Sequence, residues 1–437
     1  MTGGWRSIET WPGFIPVSRA FRRGFAVRST RFISLALFFG VFCIQTVFGS
    51  DDIVPLYRQS QLAELRSPLD SVNLATFPEP KGLRFGALKI DPYFAFDSIY
   101  SDNSRQAAVQ RTDDVLLQYA GGFGAAFRPH ENLKVNLNYE FGWHDYVKDT
   151  AKDYLSHRAG FDATLNRVFV EGLSLSFSDQ YLQTAGGNIL ENEIVQFTRY
   201  QSDRAAARAQ YKFNRFKISG EYAYSFTDYF DQRTFGRSNF RTHTGSLEAA
   251  WEWLPKRLEI FESFQIQRTL FDHAGTSDFD ADTWLAGVRG SYSKLYYSVA
   301  VGYASAVPVY VDGVKGDGSY NANLGYVPHR RLMFDLAASR SFSAGVRTGD
   351  SLETNLTTSL KMVLTPAGKL TLSYTRNQSD RATSEQQISV AYSSVFDYKL
   401  TRNASLAARL TRYDRTSTFV SNSFTVDEVK LSFKLAW

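Results

Sequence analysis

An all-β, transmembrane, antiparallel up-and-down β-barrel of about 18 strands is the fold class this sequence predicts. Three observations predict it. Segments in which apolar and polar residues alternate recur from Leu83 to Trp437. Short turns exchange with long polar stretches between those segments. The last stretch, Val429–Trp437, places Val429, Leu431, Phe433, Leu435 and Trp437 on one strand face and Lys430, Ser432, Lys434 and Ala436 on the other.

Composition narrows the class further. The chain has 437 residues and is rich in aromatics, with 24 Tyr, 35 Phe and 7 Trp. Its single cysteine excludes an intramolecular disulfide framework. The mean hydropathy is slightly negative, which disfavours a helical membrane protein. It is no objection to a barrel, because half of each barrel strand is polar. The formal charge of +5 comes from residues 1–49, where six arginines face one glutamate. Basic and acidic residues are equal in number over the rest, so the charge is no argument for nucleic-acid binding, and none is expected.

Residues 1–49 read as a signal peptide with a long leader. Arg28 and Arg31 precede the apolar run Phe32–Phe48, and Gly49 offers a small residue for cleavage. Gln45 and Thr46 weaken the alternative of a membrane anchor, and Val41-Phe42 before Cys43 does not suit a lipoprotein. Residues 50–82 carry Pro55, Pro68, Pro78 and Pro80 without sustained alternation. They read as a periplasmic lead-in. The barrel is expected over residues 83–437.

The strands then follow in order. The first is expected near Leu83–Asp97. Leu133, Val135, Leu137, Tyr139, Phe141 and Trp143 share one face of the next clear segment. Leu173, Leu175 and Phe177 alternate with serines, and Phe216, Ile218, Tyr222, Tyr224 and Phe226 with polar residues. Leu247–Trp253, Leu352–Leu364 and Leu370–Tyr374 repeat the pattern. Short turns are expected at Pro129–Asn132, Asn214-Arg215, Leu254–Arg257, Ser293-Lys294, Pro328–Arg331 and Pro366–Lys369. Long loops are expected at Ser101–Thr112, Val147–Tyr154, Thr184–Phe197, Asp231–Arg241, Phe271–Ala281, Val307–Gly318 and Ser343–Ser351. Tyr200–Lys212 and Leu258–Gln267 alternate poorly, so about 16 strands is the alternative count. An even count puts both barrel ends on the short-turn side.

If the apolar positions meet lipid, the lumen-facing set comprises Lys134, Glu140, Arg204, Arg208, Lys212, Lys217, Glu221, Glu248, Glu252, Arg289, Glu353, Lys361, Arg409, Lys430 and Lys434. Basic residues outnumber acidic ones in it, so either a mild preference for anionic or sugar solutes or an unselective, salt-bridged wall is expected. Lys212, Lys217, Lys361, Lys430 and Lys434 are expected near the periplasmic strand ends. No catalytic constellation stands out. His144 and Asp145 are adjacent, so their side chains leave a strand on opposite faces. The acidic stretch with Asp272, Asp278, Asp280 and Asp282 lacks calcium-loop spacing. Neither a cofactor nor a metal is expected, and the chain is not expected to be an enzyme.

The opening stretch Gly82–Asn103 reads G-L-R-F-G-A-L-K-I-D-P-Y-F-A-F-D-S-I-Y-S-D-N. Its glycine-led start, the pair Pro92-Tyr93 and the loop start Asp102-Asn103 resemble the β-barrel porin 2 group of bacterial outer-membrane proteins. Val429–Trp437, the expected assembly signal, is similar to the terminal strand of such barrels, with Trp in place of the usual Phe. The resemblance implies the bacterial outer membrane and a porin-like channel for small hydrophilic or saccharide solutes, linked to exopolysaccharide export. A non-conducting structural or secretion-partner barrel is the alternative. Expected partners are outer-membrane lipid and lipopolysaccharide, the barrel-assembly machinery and a polysaccharide.

Overall fold

The structure is a computed structural model. It describes residues 81–104, 111–149, 152–167, 170–186, 198–230, 239–255, 257–272, 278–308, 315–345, 349–381, 386–418 and 423–437. The expected signal and nearly all of the expected lead-in lie outside the described residues.

The strands are β1 (Leu83–Phe85), β2 (Leu88–Ser101), β3 (Asp114–His130), β4 (Leu133–Tyr146), β5 (Tyr154–Asn166) and β6 (Leu173–Gly186). Next come β7 (Thr198–Phe213), β8 (Phe216–Tyr229), β9 (Phe240–Leu254), β10 (Leu258–Phe271), β11 (Phe279–Tyr292) and β12 (Leu295–Pro308). The wall is completed by β13 (Lys315–His329), β14 (Leu332–Gly345), β15 (Gly349–Thr365), β16 (Gly368–Arg381), β17 (Gln386–Lys399), β18 (Ala404–Ser417) and β19 (Phe424–Ala436). Together they form one 19-stranded sheet in which β1 is only a three-residue arm. The other 18 pair antiparallel in chain order, and β19 pairs β2 from Glu428↔Ser101 to Ala436↔Tyr93. The sheet therefore closes on itself and leaves no edge.

Two details of the expected layout change. The first strand does not run unbroken from Leu83. Gly86 sits at φ +59, the left-handed region that glycine enters without strain, and the chain turns there so that Leu83 pairs with Ile90 and Phe85 with Leu88. The long loops are also shorter than the polar stretches suggest. Phe279–Ala281, Lys315–Gly318 and residues 343–345 and 349–351 are strand. There the alternation of the belt fades while the backbone ladder continues.

The two poor alternators are strands, which excludes the count of 16. In β7 the outer face is Ala205, Ala207 and Ala209, too small to stand out against its neighbours. In β10 the inner face mixes Glu259, Phe261 and Ser263, so hydropathy does not sort by face. Asn214 and Ser293 take positive φ, 53 and 55, in the two-residue turns β7–β8 and β11–β12.

Cross-strand partners share a face, so the register assigns every residue to one side of the wall. One side carries exposed apolar side chains such as Leu137, Phe177, Ile218, Val301, Leu372, Leu410 and Leu431. The polar set lies on the other, enclosed side.

At one place a strand parts from its neighbour, β14 from β13, while β15 stays paired to β16 as far as Ser351↔Arg381. The β13–β14 ladder stops at Tyr320↔Arg340, whereas β14–β15 continues to Gly345↔Gly349. Beyond Arg340, Phe342 is buried against Phe279, Ala304 and Ala306, with Leu352 and Phe271 packed around them. Phe279, Ala304 and Ala306 share the face of Leu285, opposite to the exposed Tyr303. Phe342 therefore packs over the enclosed face of β11 and β12. β15 comes within 8 Å of β12, three strands away, where a regular sheet would hold them about 14 Å apart.

Candidate pore lining

By register, all fifteen residues of the charged set share the face opposite the exposed apolar belt. They are Lys134 and Glu140 on β4, Arg204, Arg208 and Lys212 on β7, Lys217 and Glu221 on β8, and Glu248 and Glu252 on β9. Arg289 follows on β11, Glu353 and Lys361 on β15, Arg409 on β18, and Lys430 and Lys434 on β19. Their side chains alternate with belt residues because the strand period is two. Lys430 lies halfway along β19, opposite Ile99, and not near the short-turn end.

Many of these charges are neutralised locally. Lys430 Nζ donates to Asp97 Oδ2 at 2.6 Å, and Lys361 Nζ lies 3.0 Å from Asp335 Oδ2. Arg204 and Glu221 approach to 3.8 Å, and Lys212 and Glu252 to 3.6 Å. Arg289 makes the tightest cluster. Its Nη1 and Nη2 donate to the two oxygens of Glu248 at 3.0 and 2.7 Å, it also bonds Glu259, and its guanidinium lies 4.7 Å from the Phe261 ring centre. Such a two-point clasp fits the planar fork of arginine.

Sequence reasoning missed the acidic partners Asp97, Glu259 and Asp335. Asp97 follows Tyr93-Phe94-Ala95-Phe96, where both faces look apolar. Glu259 stands in the poorly alternating β10. Asp335 is flanked by Phe334 and Leu336, but Met333 on its own face breaks the pattern.

A hydrogen-bonded patch covers the inner wall of β2–β5. Tyr93 lies flat over Gly122, where a Cβ would come within 2.8 Å of the Tyr93 ring and 2.4 Å of the Tyr139 carbonyl oxygen. The Tyr93 hydroxyl donates to Glu140 Oε2 at 2.5 Å, and Lys434 Nζ sits 4.2 Å from the Tyr93 ring centre. His144 shares hydrogen bonds with Gln118 at 2.9 Å and Ser156 at 2.8 Å and stacks on Tyr154 at 4.1 Å. The His144–Ser156 contact has the spacing of a nucleophile and its base. The backbone N–H groups around it are committed to the β3–β4–β5 ladders, so they form no oxyanion hole.

Between the charges the inner face is hydroxyl and amide. Asn136 and Asn138 line β4, Ser174, Ser176 and Ser178 line β6, and Asn355, Thr357 and Ser359 line β15. These groups donate and accept without imposing a net charge. Among the described residues no group of three or more His, Cys, Asp or Glu has the arrangement of a metal site.

A closed antiparallel wall with an apolar outer belt and a polar interior satisfies every backbone group without water, which is the requirement for crossing a bilayer with strands. The chain is thus a transmembrane β-barrel of the bacterial outer-membrane type, with porin architecture. Solved structures of similar architecture include OpdK of Pseudomonas aeruginosa with vanillate, at 10% identity and TM-score 0.45, covering 80% of this chain and 99% of that one. A BenF-like porin from Pseudomonas fluorescens shows 9% identity and TM-score 0.45 over 80% and 99% of the two chains. OccK2 (OpdF) of Pseudomonas aeruginosa in complex with glucuronate shows 8% identity and TM-score 0.47 over 80% and 97%. No family model matches the sequence. No curated protein matches it either.

Proposed function

We propose that the barrel is a channel for small, uncharged hydrophilic solutes of the saccharide class. The observation that carries this is the chemistry of the enclosed face. Its cations sit against carboxylates, as in Lys430–Asp97, Lys361–Asp335 and Arg289–Glu248, and its other positions are largely Ser, Thr and Asn. Pairing offsets the excess of bases counted in the sequence, so little field is left to favour anions. Hydroxyl and amide groups along a wide lumen suit solutes that exchange hydrogen bonds as they move.

The resemblance of Gly82–Asn103 supports a place beside exopolysaccharide export. The outer face beyond the belt carries Arg241, Arg268, Arg376 and Arg412, which fits contact with lipopolysaccharide phosphates. The closing strand β19 fits handover from the barrel-assembly machinery. Phe342 packing over the enclosed face favours a second reading, a barrel that is closed at rest and serves as a structural or secretion partner.

Reconstitution decides between them. Reversal potentials in a salt gradient should show nearly equal cation and anion permeability, and proteoliposomes should swell in monosaccharides. A strong anion preference would overturn the uncharged-solute reading. A folded barrel that neither conducts nor swells would support the second.

A further inference from the structure

The two ends of the wall hold their cations differently. At the long-loop end, cations stand beside carboxylates: Lys148 with Asp113, Arg241 with Asp272, Arg268 with Asp280, and Arg412 with Asp414 and Asp427. At the short-turn end, five consecutive connections, from β5–β6 to β13–β14, each carry an exposed cation. These are Arg167, Arg215, Arg257, Lys294 and the pair Arg330-Arg331. Among the described residues none of the six forms an ion pair, and Lys294 Nζ donates only to the Pro328 carbonyl oxygen. The one acid among the described residues of these turns is Glu171. The arc then stops, since the β15–β16 turn is the uncharged Pro366-Ala367.

Neighbouring turns are two strands apart, about 10 Å along the rim. Cations at that spacing add to one positive strip, because the Debye length in physiological salt is about as long. The strip borders apolar surface. Phe213 and Phe216 flank Asn214-Arg215, Trp253 and Leu254 precede Arg257, and Tyr292 and Leu295 flank Ser293-Lys294; all six are exposed. Aromatic rings at the ends of membrane strands mark the level where hydrocarbon gives way to head groups. The cations of the same turns lie just beyond that level, where lipid phosphate supplies the missing counter-charge. A polyanion in bulk water would meet cations alone. The apolar flank beside three of these cations is the complement of a bilayer surface.

We propose that this arc, from Arg167 to Arg331, is a docking strip for anionic phospholipid head groups, so that the barrel gathers negatively charged lipid along the leaflet its short turns meet. The strip depends on the transmembrane wall and is independent of the channel reading.

Lipid selectivity tests it. The purified protein is reconstituted in phosphatidylcholine vesicles with a trace of spin-labelled phosphatidylglycerol or spin-labelled phosphatidylcholine. Electron paramagnetic resonance then reads the fraction of label immobilised at the protein. Phosphatidylglycerol should be held about twofold or more over phosphatidylcholine at low salt, and about 1 M salt should remove most of that preference. Arg167→Gln, Arg215→Gln, Arg257→Gln, Lys294→Gln, Arg330→Gln and Arg331→Gln together should remove it at low salt, with folding confirmed by heat-modifiable migration. The smaller set Arg215→Gln, Arg257→Gln and Lys294→Gln should remove about half. Arg241→Gln, Arg268→Gln and Arg412→Gln, at the other end, should leave it intact. The salt titration needs no substitution, so it stands even where a variant does not fold.

Equal retention of the two lipids by the native protein would overturn the proposal. So would a preference that survives in the folded six-fold variant, or one that disappears with the three far-end substitutions instead. Displacement of the labelled lipid by inorganic phosphate at constant ionic strength would reassign the strip to a soluble anion. Binding of polyglutamate without any lipid preference would reassign it to an acidic protein. Either result would overturn the lipid assignment.

Discussion

Individual charges matter in this barrel according to how far water reaches them. Arg289 is 17% and Glu248 7% exposed at the side chain, so neither can fall back on solvent. Removing one partner leaves the other charge buried. Arg289→Met should cost about 3–5 kcal/mol, while adding Glu248→Gln should restore most of it. Denaturant titration of the folded band on a heat-modifiability gel measures both. Asp114 is a second such residue: it is 3% exposed and accepts backbone N–H bonds from Val115, Lys148 and Asp149. Asp114→Ala should free the connection between β4 and β5, and limited proteolysis should then cut near residues 147–153. The neighbouring Lys148–Asp113 pair is exposed. The hydrogen bond from Lys148 lowers the Asp113 pKa, so whatever the pair contributes is present above the usual carboxylate range and lost as pH falls through the lowered value. Screening by water keeps that contribution small, and Lys148→Ala should leave neutral-pH stability unchanged. The fifteen charged residues could be picked out because apolar neighbours frame most of them. The acids that pair with them could not, since Asp97 and Glu259 stand where neighbouring residues of both faces are apolar.

At the level of single strands, β19 carries the seam. Phe433↔Phe96, Lys434↔Ala95, Leu435↔Phe94 and Ala436↔Tyr93 form its last four pairs, and the Trp437 N–H donates to the Pro92 carbonyl at 3.1 Å. Deleting Phe433–Trp437 should therefore abolish the heat-modifiable form in outer-membrane fractions. A truncated chain that still gave that form would show that the remaining seam pairs are enough. Most strands were legible because one face is apolar over the ~9–11 residues that cross the bilayer. β7 was obscured by its alanines and β10 by Phe261 on the inner face. The β14–β15 hairpin was read as an outer loop, because the sequence around Phe342 and Leu352 looks like any strand end. Nothing local marks Phe342 as packing over the enclosed face; these apolar residues gain a partner only once β11 and β12 are in place.

For the barrel as a whole, the sorting of faces makes an opposed pair of predictions. Val301 lies on the outer face in mid-strand and is 61% exposed. Val301→Arg should destabilise the barrel by about 2–4 kcal/mol, as a charge held at the bilayer midplane does. Ser176 faces inward on β6. Ser176→Arg should leave stability nearly unchanged and shift the reversal potential toward anion permeation. The same denaturant titration and a bilayer recording read the two outcomes. Strand number and closure followed from counting turns, whereas the packing of Phe342 depends on contacts between strands that are distant in the chain.

The ion pair Lys430–Asp97 joins residues 333 positions apart. The seam it belongs to is the least local contact in the described wall, and the ladders that run in chain order from β2 to β18 contain none of its pairs. Until the final strand arrives, β2 offers an unpaired edge to any other strand nearby. Sealing the ring therefore waits on the final strand, and a chain stalled in export stays visibly unfinished. The hydrogen-bonding edge exposed at Tyr93–Ser101 would mark such a chain for degradation.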